Sequence, residues 1–182
     1  MEIIETGFHG LVVIKPKIYS DTRGYFFESY KLDAFLEAGI SFNPVQDNES
    51  SSVKGVIRGL HYQLKPFAQA KLIRVVVGKI YDVAVDLRKK SSTFGKWYGI
   101  ELDSENKSQL FIPKGFAHGF SVLSDLAVIQ YKSDNIYNSQ YERGIALNDP
   151  SLNINWKLGN EEPIISKKDM NHPNLKDAEN NF

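Results

Sequence analysis

Lys54-Gly55-Val56-Ile57-Arg58-Gly59-Leu60-His61-Tyr62-Gln63 sets an arginine and a histidine three residues apart on an apolar, strand-like run, with a glycine between them. Side chains alternate along an extended strand, so strict alternation pairs Arg58 with Leu60 and groups His61 with Ile57, Gly59 and Gln63. A twist or bulge at Gly59 would instead bring Arg58 and His61 into one cavity. A strand histidine alone is commonly a hydrogen-bonded core or rim residue, so its neighbours along the chain decide its meaning.

Downstream, Lys71 to Val77 and Ile80 to Arg88 read as two strands joined by a tight hairpin at Gly78-Lys79. In the second, Tyr81, Val83, Val85 and Leu87 alternate with Asp82, Ala84, Asp86 and Arg88, a face expected to be solvated or salt-bridged. Lys71 shares a face with Ile73, Val75 and Val77, where a lysine snorkels to water or serves a cavity as a fixed cation. Short strands follow at Trp97 to Leu102, Gln109 to Ile112, Gly119 to Leu123 and Leu126 to Tyr131, separated by turn residues. After Asp149-Pro150 the chain turns polar and loop-like, and Leu175 to Phe182 has little to hold it in a core.

Upstream, Gly10 to Ile18 contains Pro16 and suits an edge strand. Asp21-Thr22-Arg23-Gly24 opens with turn chemistry and continues as an aromatic strand through Tyr30. Leu32, Phe35 and Leu36 stand at helical spacing and stop at Gly39, which predicts one short helix. Gln46 and Asn48 share a face of a further extended stretch. Many short strands with one early helix indicate an antiparallel sandwich or a jelly-roll barrel.

The 182 residues carry 22 basic and 22 acidic side chains, so any anionic ligand is met by local cations and a nucleic-acid partner is not expected. The chain has no cysteine, hence no disulfide, thiolate metal site or cysteine nucleophile. The first residues lack the order of a signal peptide and no apolar run reaches membrane-spanning length, so a soluble cytoplasmic protein of one domain, residues 1–182, is expected.

Pro113-Lys114-Gly115-Phe116-Ala117-His118 resembles the second half of the metal-binding pattern of the cupin superfamily. The first half departs from it: Gln63 stands where a second histidine belongs, and Lys71 lies near where a carboxylate is expected. A cation beside an incomplete ligand set opposes a divalent ion, so a barrel working without metal is expected.

Asp21-x-Arg23-Gly24-x-Phe26-x-Glu28, Gln46-Asp47-Asn48, Arg58-Gly59-Leu60-His61-x-Gln63, Gln69-x-Lys71-Leu72, Asp82-Val83-x-Val85-Asp86-Leu87-Arg88, Thr93-Phe94-Gly95 and Ile112-Pro113-x-Gly115-Phe116-Ala117-His118-Gly119-Phe120 together resemble the RmlC family, the dTDP-4-dehydrorhamnose 3,5-epimerases. The resemblance continues through Tyr131, Tyr137, Glu142, Asn148-Asp149-Pro150 and Ser166-x-Lys168-Asp169. It implies an all-β, cupin-like antiparallel jelly-roll barrel with one or more short peripheral helices. It also implies inversion of C3 and C5 of a dTDP-linked 4-keto-6-deoxy sugar, with no cofactor and no metal.

By the same resemblance His61 is the base, Asp169 orients its ring, Lys71 offsets enolate charge and Tyr131 returns a proton from the opposite face. Arg23, Arg58 and Lys168 suit the diphosphate. Glu28, Gln46, Asn48 and Glu142 hydrogen-bond nucleotide and sugar, Tyr137 stacks on thymine, His118 touches the sugar, and Phe26 belongs to the binding set. The Arg23 to Glu28 strand would reach a neighbouring subunit's site, which implies a homodimer. Leu147, where the family has tryptophan, and the proline-free Asn138-Ser139-Gln140 depart from the pattern near the nucleotide or closing loop. A single-site epimerase, a ketoisomerase of a related nucleotide sugar and a non-catalytic sugar-nucleotide-binding barrel stay open as alternatives.

Overall fold

A computed structural model describes residues 1–182. The chain starts with β1 (Glu2–Glu5) and β2 (Val12–Lys15), then a small exposed hairpin of β3 (Tyr19–Asp21) and β4 (Gly24–Phe26), then the helix α1 (Leu32–Glu37). β5 (Gln46–Val53), β6 (Val56–Gln63), β7 (Lys71–Val77), β8 (Lys79–Asp86), β9 (Trp97–Asp103), β10 (Gln109–Ile112), β11 (Phe116–Val122) and β12 (Leu126–Ser133) form the body, and β13 (Glu142–Gly144) and β14 (Ile164–Ile165) add short edges.

These strands build two facing sheets, ordered β1-β2-β10-β7-β12-β5 and β13-β6-β11-β8-β9, with β14 beside β6 as the one parallel pair. The jelly-roll expectation holds. The β7–β8 hairpin does not: Gly78 carries the chain from the first sheet to the second, so the two strands face each other across the interior instead of pairing. Gly78 encodes a change of direction but not which sheet the next strand joins.

Ile73, Val75 and Ile129 of the first sheet meet Ile80, Phe120 and Val122 of the second in the core between the sheets. Outside the second sheet, Leu60, Tyr62, Val83 and Val85 are covered by Leu147, Leu152, Trp156, Leu175 and Phe182. Outside the first, Ile14, Leu72 and Phe111 are covered by Phe35 and Phe42. Each fully buried aromatic or aliphatic side chain contributes roughly 1.5–3 kcal/mol, which favours covering both faces of the central strands.

Several local expectations change. β2 lies between β1 and β10 and ends before Pro16, so it is an interior strand and the proline sits outside its ladder. The aromatic strand after Arg23 stops at Phe26. In α1 only Phe35 is buried, while Leu32 and Leu36 are exposed. The last residues are tied down: the Tyr62 hydroxyl donates to the Glu179 carbonyl and the Asn180 amide to the Leu87 carbonyl. Leu147 is buried in the layer outside the second sheet and its carbonyl accepts the Trp156 indole N–H, so it is a packing residue there and does not line the cavity described next.

Candidate active site

β6 and β11 pair His61 with His118 and Arg58 with Phe120, so Gly59 and Leu60 together face the single residue Gly119. This is a β-bulge. Gly59 has φ of +119°, and a Cβ there would fall 2.5 Å from the Gly119 Cα, so only glycine fits. The extra residue resets the alternation: Leu60 turns into the layer outside the sheet, and Arg58 and His61 line one cavity of about 500 Å³. The bulge expectation is met and strict alternation is not.

The His61 side chain is 29% exposed in that cavity, and its Nε2 lies 2.7 Å from Asp169 Oδ1. Asp169 Oδ2 accepts the Gly59 backbone N–H at 3.3 Å. Burial alone would raise the Asp169 carboxyl, but the His61 hydrogen bond and charge, with Gly59 and Ser166, hold it below the usual carboxylate range. An ionised carboxylate only accepts, so His61 Nε2 carries the proton and Nδ1 holds the basic lone pair.

Lys71 and Tyr131 line the cavity from β7 and β12, in the facing sheet. Burial pushes the Lys71 ammonium down to about 8, against the opposing pull of Asp82 and Glu142. Burial also pushes the Tyr131 phenol up, so it keeps its proton at neutral pH. The ammonium lies 5.7 Å from the Tyr131 ring centroid.

A second histidine–carboxylate pair stands beside the first. His118 Nε2 is 2.6 Å from Asp82 Oδ1, with Asp82 wholly buried and its Oδ2 without a hydrogen-bond partner. Asp82 and Asp86 are therefore paired, with His118 and Arg88, but not solvated. Sequence reasoning missed Asp82 as a site residue, although its place opposite Phe120 on the strand next to His118 puts it there.

The remaining expected binding residues divide into three groups. Arg58 and Lys168 line the cavity. A hydrogen-bonded chain leads away from Lys168: Lys168 Nζ and the Tyr137 hydroxyl both donate to Glu142, at 2.5 and 2.6 Å, the Tyr137 N–H donates to Gln46, and Gln46 donates to Asn48. Burial disfavours the ionised Glu142, yet Lys168 and Tyr137 hold its carboxyl below the usual range. Arg23, Phe26 and Glu28 are not brought to this cavity. They lie on the exposed arm, where Arg23 pairs only with Asp21 and Phe26 is 67% exposed.

One trio of potential metal donors is close enough to share an ion: His61, Asp169 and His172, with ligand atoms within 4.8 Å of one another. His61 Nε2 already donates to Asp169, which occupies the nitrogen a metal would need. Gln63 and His118 do not join it, since the Gln63 amide is bound to the Phe67 and Ile136 carbonyls and His118 to Asp82. His61 and Asp169 form a hydrogen-bonded acid/base pair, and His172 stands beside it without a hydrogen bond of its own.

Two facing antiparallel sheets around a pocket of titratable side chains make this a cupin-like barrel. The chain is 52% identical over 180 residues to dTDP-4-dehydrorhamnose 3,5-epimerase of Shigella flexneri, covering 98% of both chains. Its structure is similar to that of dTDP-4-dehydrorhamnose 3,5-epimerase from Elizabethkingia anophelis NUHP1, with TM-score 0.93, 48% identity and 97% of each chain covered. It is also similar to dTDP-6-deoxy-D-glucose-3,5-epimerase RmlC from Legionella pneumophila Philadelphia 1, solved in complex with dTDP-4-keto-L-rhamnose, with TM-score 0.92, 48% identity and 96% and 93% covered. The chain belongs to the dTDP-4-dehydrorhamnose 3,5-epimerase family, whose pattern spans residues 5–177.

Proposed function

We propose that this chain inverts C3 and C5 of dTDP-4-dehydro-6-deoxy-D-glucose, giving dTDP-4-dehydro-L-rhamnose. The C4 ketone acidifies its neighbouring C–H bonds, so the reaction needs a placed base, a stabilised enolate and an acid on the other face, with no cofactor. His61 Nδ1 removes the proton, with Asp169 holding the tautomer and balancing the imidazolium. The Lys71 ammonium, still largely charged near neutral pH, offsets the enolate oxygen. Tyr131 returns a proton to the carbon. One observation carries this reading: base and acid come from opposite sheets of one cavity, as removal from one face and return to the other require.

Arg58 and Lys168 serve the diphosphate, and His118 touches the sugar. Gln46, Asn48, Tyr137 and Glu142 hold the nucleotide at the rim. Arg23, Phe26 and Glu28 act in a neighbouring subunit's site, within a homodimer. The exposed Tyr19, Tyr25 and Phe26 support that arrangement, since an apolar arm of this kind asks for a partner surface. Sedimentation velocity at twice the chain mass is the expected result, and a monomer at micromolar concentration would remove it. Residues 1–182 act as one domain in the cytoplasm; no helix is long and apolar enough to cross a membrane.

The deciding experiment incubates the protein with dTDP-4-keto-6-deoxyglucose in deuterated water and follows the sugar protons by NMR. Deuterium is expected at both C3 and C5, and His61→Ala is expected to abolish exchange while still binding dTDP. Incorporation at one carbon overturns the double inversion, and none at either overturns the catalytic assignment.

A further inference from the structure

His172 stands at the back of the dyad with no part in the mechanism above. It directly follows the 3₁₀ turn Asp169–Asn171, and its ring meets the His61 ring edge-on, centroids 5.6 Å apart and planes at 81°. Its Nε2 lies 3.6 Å from Asp169 Oδ1, the oxygen that already accepts from His61. That separation exceeds a hydrogen bond, and the enclosed nitrogen has no other partner. The room for the ring is left by Gly144, where a Cβ would fall 2.3 Å from His172 Nε2. Gly144 is also the residue paired with His61 across β13 and β6.

The charged groups around it are Asp169, His61, Lys168 and Glu142; Arg58 and His118 line the cavity from the same sheet as His61, and Lys71 from the facing one. Burial, then repulsion from His61, holds His172 below the usual imidazole range, so it stays neutral at neutral pH. A neutral imidazole whose Nε2 faces a carboxylate favours the tautomer with the proton on that nitrogen. A carboxylate committed to one imidazole holds the imidazolium tightly, whereas one that shares its charge with a second N–H holds it less tightly. Two inversions on one sugar require the base to discharge its proton between them.

We infer that His172 is a positioning residue, a second N–H that draws on the Asp169 carboxylate and so eases proton release from His61 between the two inversions. This rests on His61 being the base. Closing from 3.6 Å to the ~2.9 Å of a hydrogen bond is the only movement it needs. Gly144 is then the device that keeps the ring within reach.

The test compares His172→Phe and His172→Leu, which remove the nitrogens, with His172→Gln, which restores an N–H donor. Circular dichroism and dTDP binding establish that each variant is folded. In the apolar variants the acid limb of the kcat/KM profile is expected to move up by about half a pH unit, because an unshared carboxylate favours the protonated base. Singly inverted sugar should accumulate, and His172→Gln should return both readouts toward wild type. Gly144→Ala, which displaces the ring and leaves residue 172 unchanged, should move the limb in the same direction. An unmoved limb in the apolar variants overturns the inference, whatever happens to the rate, as does an equal shift in His172→Gln. Wild-type protein that exchanges no deuterium removes the proposed function itself. Normal exchange with an unmoved limb removes only the role of His172.

Discussion

The two histidine–carboxylate pairs occupy neighbouring positions on paired strands, yet they are built for different work. His61 is 29% exposed, and its Asp169 has partners for both oxygens. His118 is 9% exposed, and its Asp82 is fully buried with one oxygen unpartnered. An unsatisfied buried acceptor costs about 1–3 kcal/mol. The first pair opens onto the cavity, where a ligand can reach the imidazole. The second is set deeper, with His118 in the cavity wall and Asp82 buried beneath it, and the Asp82 charge pulls the Lys71 ammonium toward its charged form.

Asp169→Asn breaks the comparison most severely. The amide keeps the shape but no longer dictates which His61 nitrogen carries the proton, so kcat should fall about 10²–10⁴-fold with dTDP affinity little changed. Steady-state kinetics with calorimetric dTDP binding checks this; a drop below tenfold would make Asp169 an ordinary ion-pair member. Stability separates the pairs next. His118→Phe leaves Asp82 buried and uncompensated and should cost about 3–5 kcal/mol in urea unfolding. His61→Phe should cost under about 2 kcal/mol, because Asp169 keeps the Gly59 N–H. Adding Asp82→Asn to His118→Phe should recover most of the loss. Equal costs at the two histidines would show that burial does not distinguish them.

The smallest effect is in the pH dependence. As pH rises through about 8, Lys71 loses its charge while Tyr131 keeps its proton, so kcat should halve near that pH. Asp82→Asn should move this alkaline limb lower, since it removes a charge that favours the ammonium. The stability sign follows from the same shift: the folded value lies below the unfolded 10.5, so the unfolded chain binds more protons between about 8 and 10.5. The Lys71 contribution to stability therefore rises across that window. A pH–rate profile flat to pH 9 would place the lysine outside the chemistry.

The chain shows its strands openly, because turn residues punctuate it and apolar residues alternate within each run. Sheet membership is less legible. Gly78 signals a reversal whether the next strand pairs or crosses to the facing sheet, and Asp82 and Asp86 look like surface polarity until their face of β8, shared with Ile80 and Ala84, is seen to be the buried one. Arg58 and His61 were readable as cavity neighbours because Gly59 offered a bulge. The His61–Asp169 contact spans 108 residues, and only the family resemblance suggested it. His172 carried no local signal at all: before Pro173 in a polar tail, it looks like any loop residue. The grip of the tail on Tyr62 and Leu87 was hidden for the same reason, since its hydrogen bonds run to residues far away in the chain.

The contact of Gly59 with Gly119 also bears on how this protein can change. Backbone meets backbone there, and a side-chain carbon at either position would fall within 2.7 Å of main-chain atoms of the other strand. Neither glycine can be exchanged first and repaired later by its partner, because the atoms each new side chain would strike are main chain, which no substitution of the other removes. The pair is an all-or-none inheritance: variation cannot shift His61 along its strand by single steps.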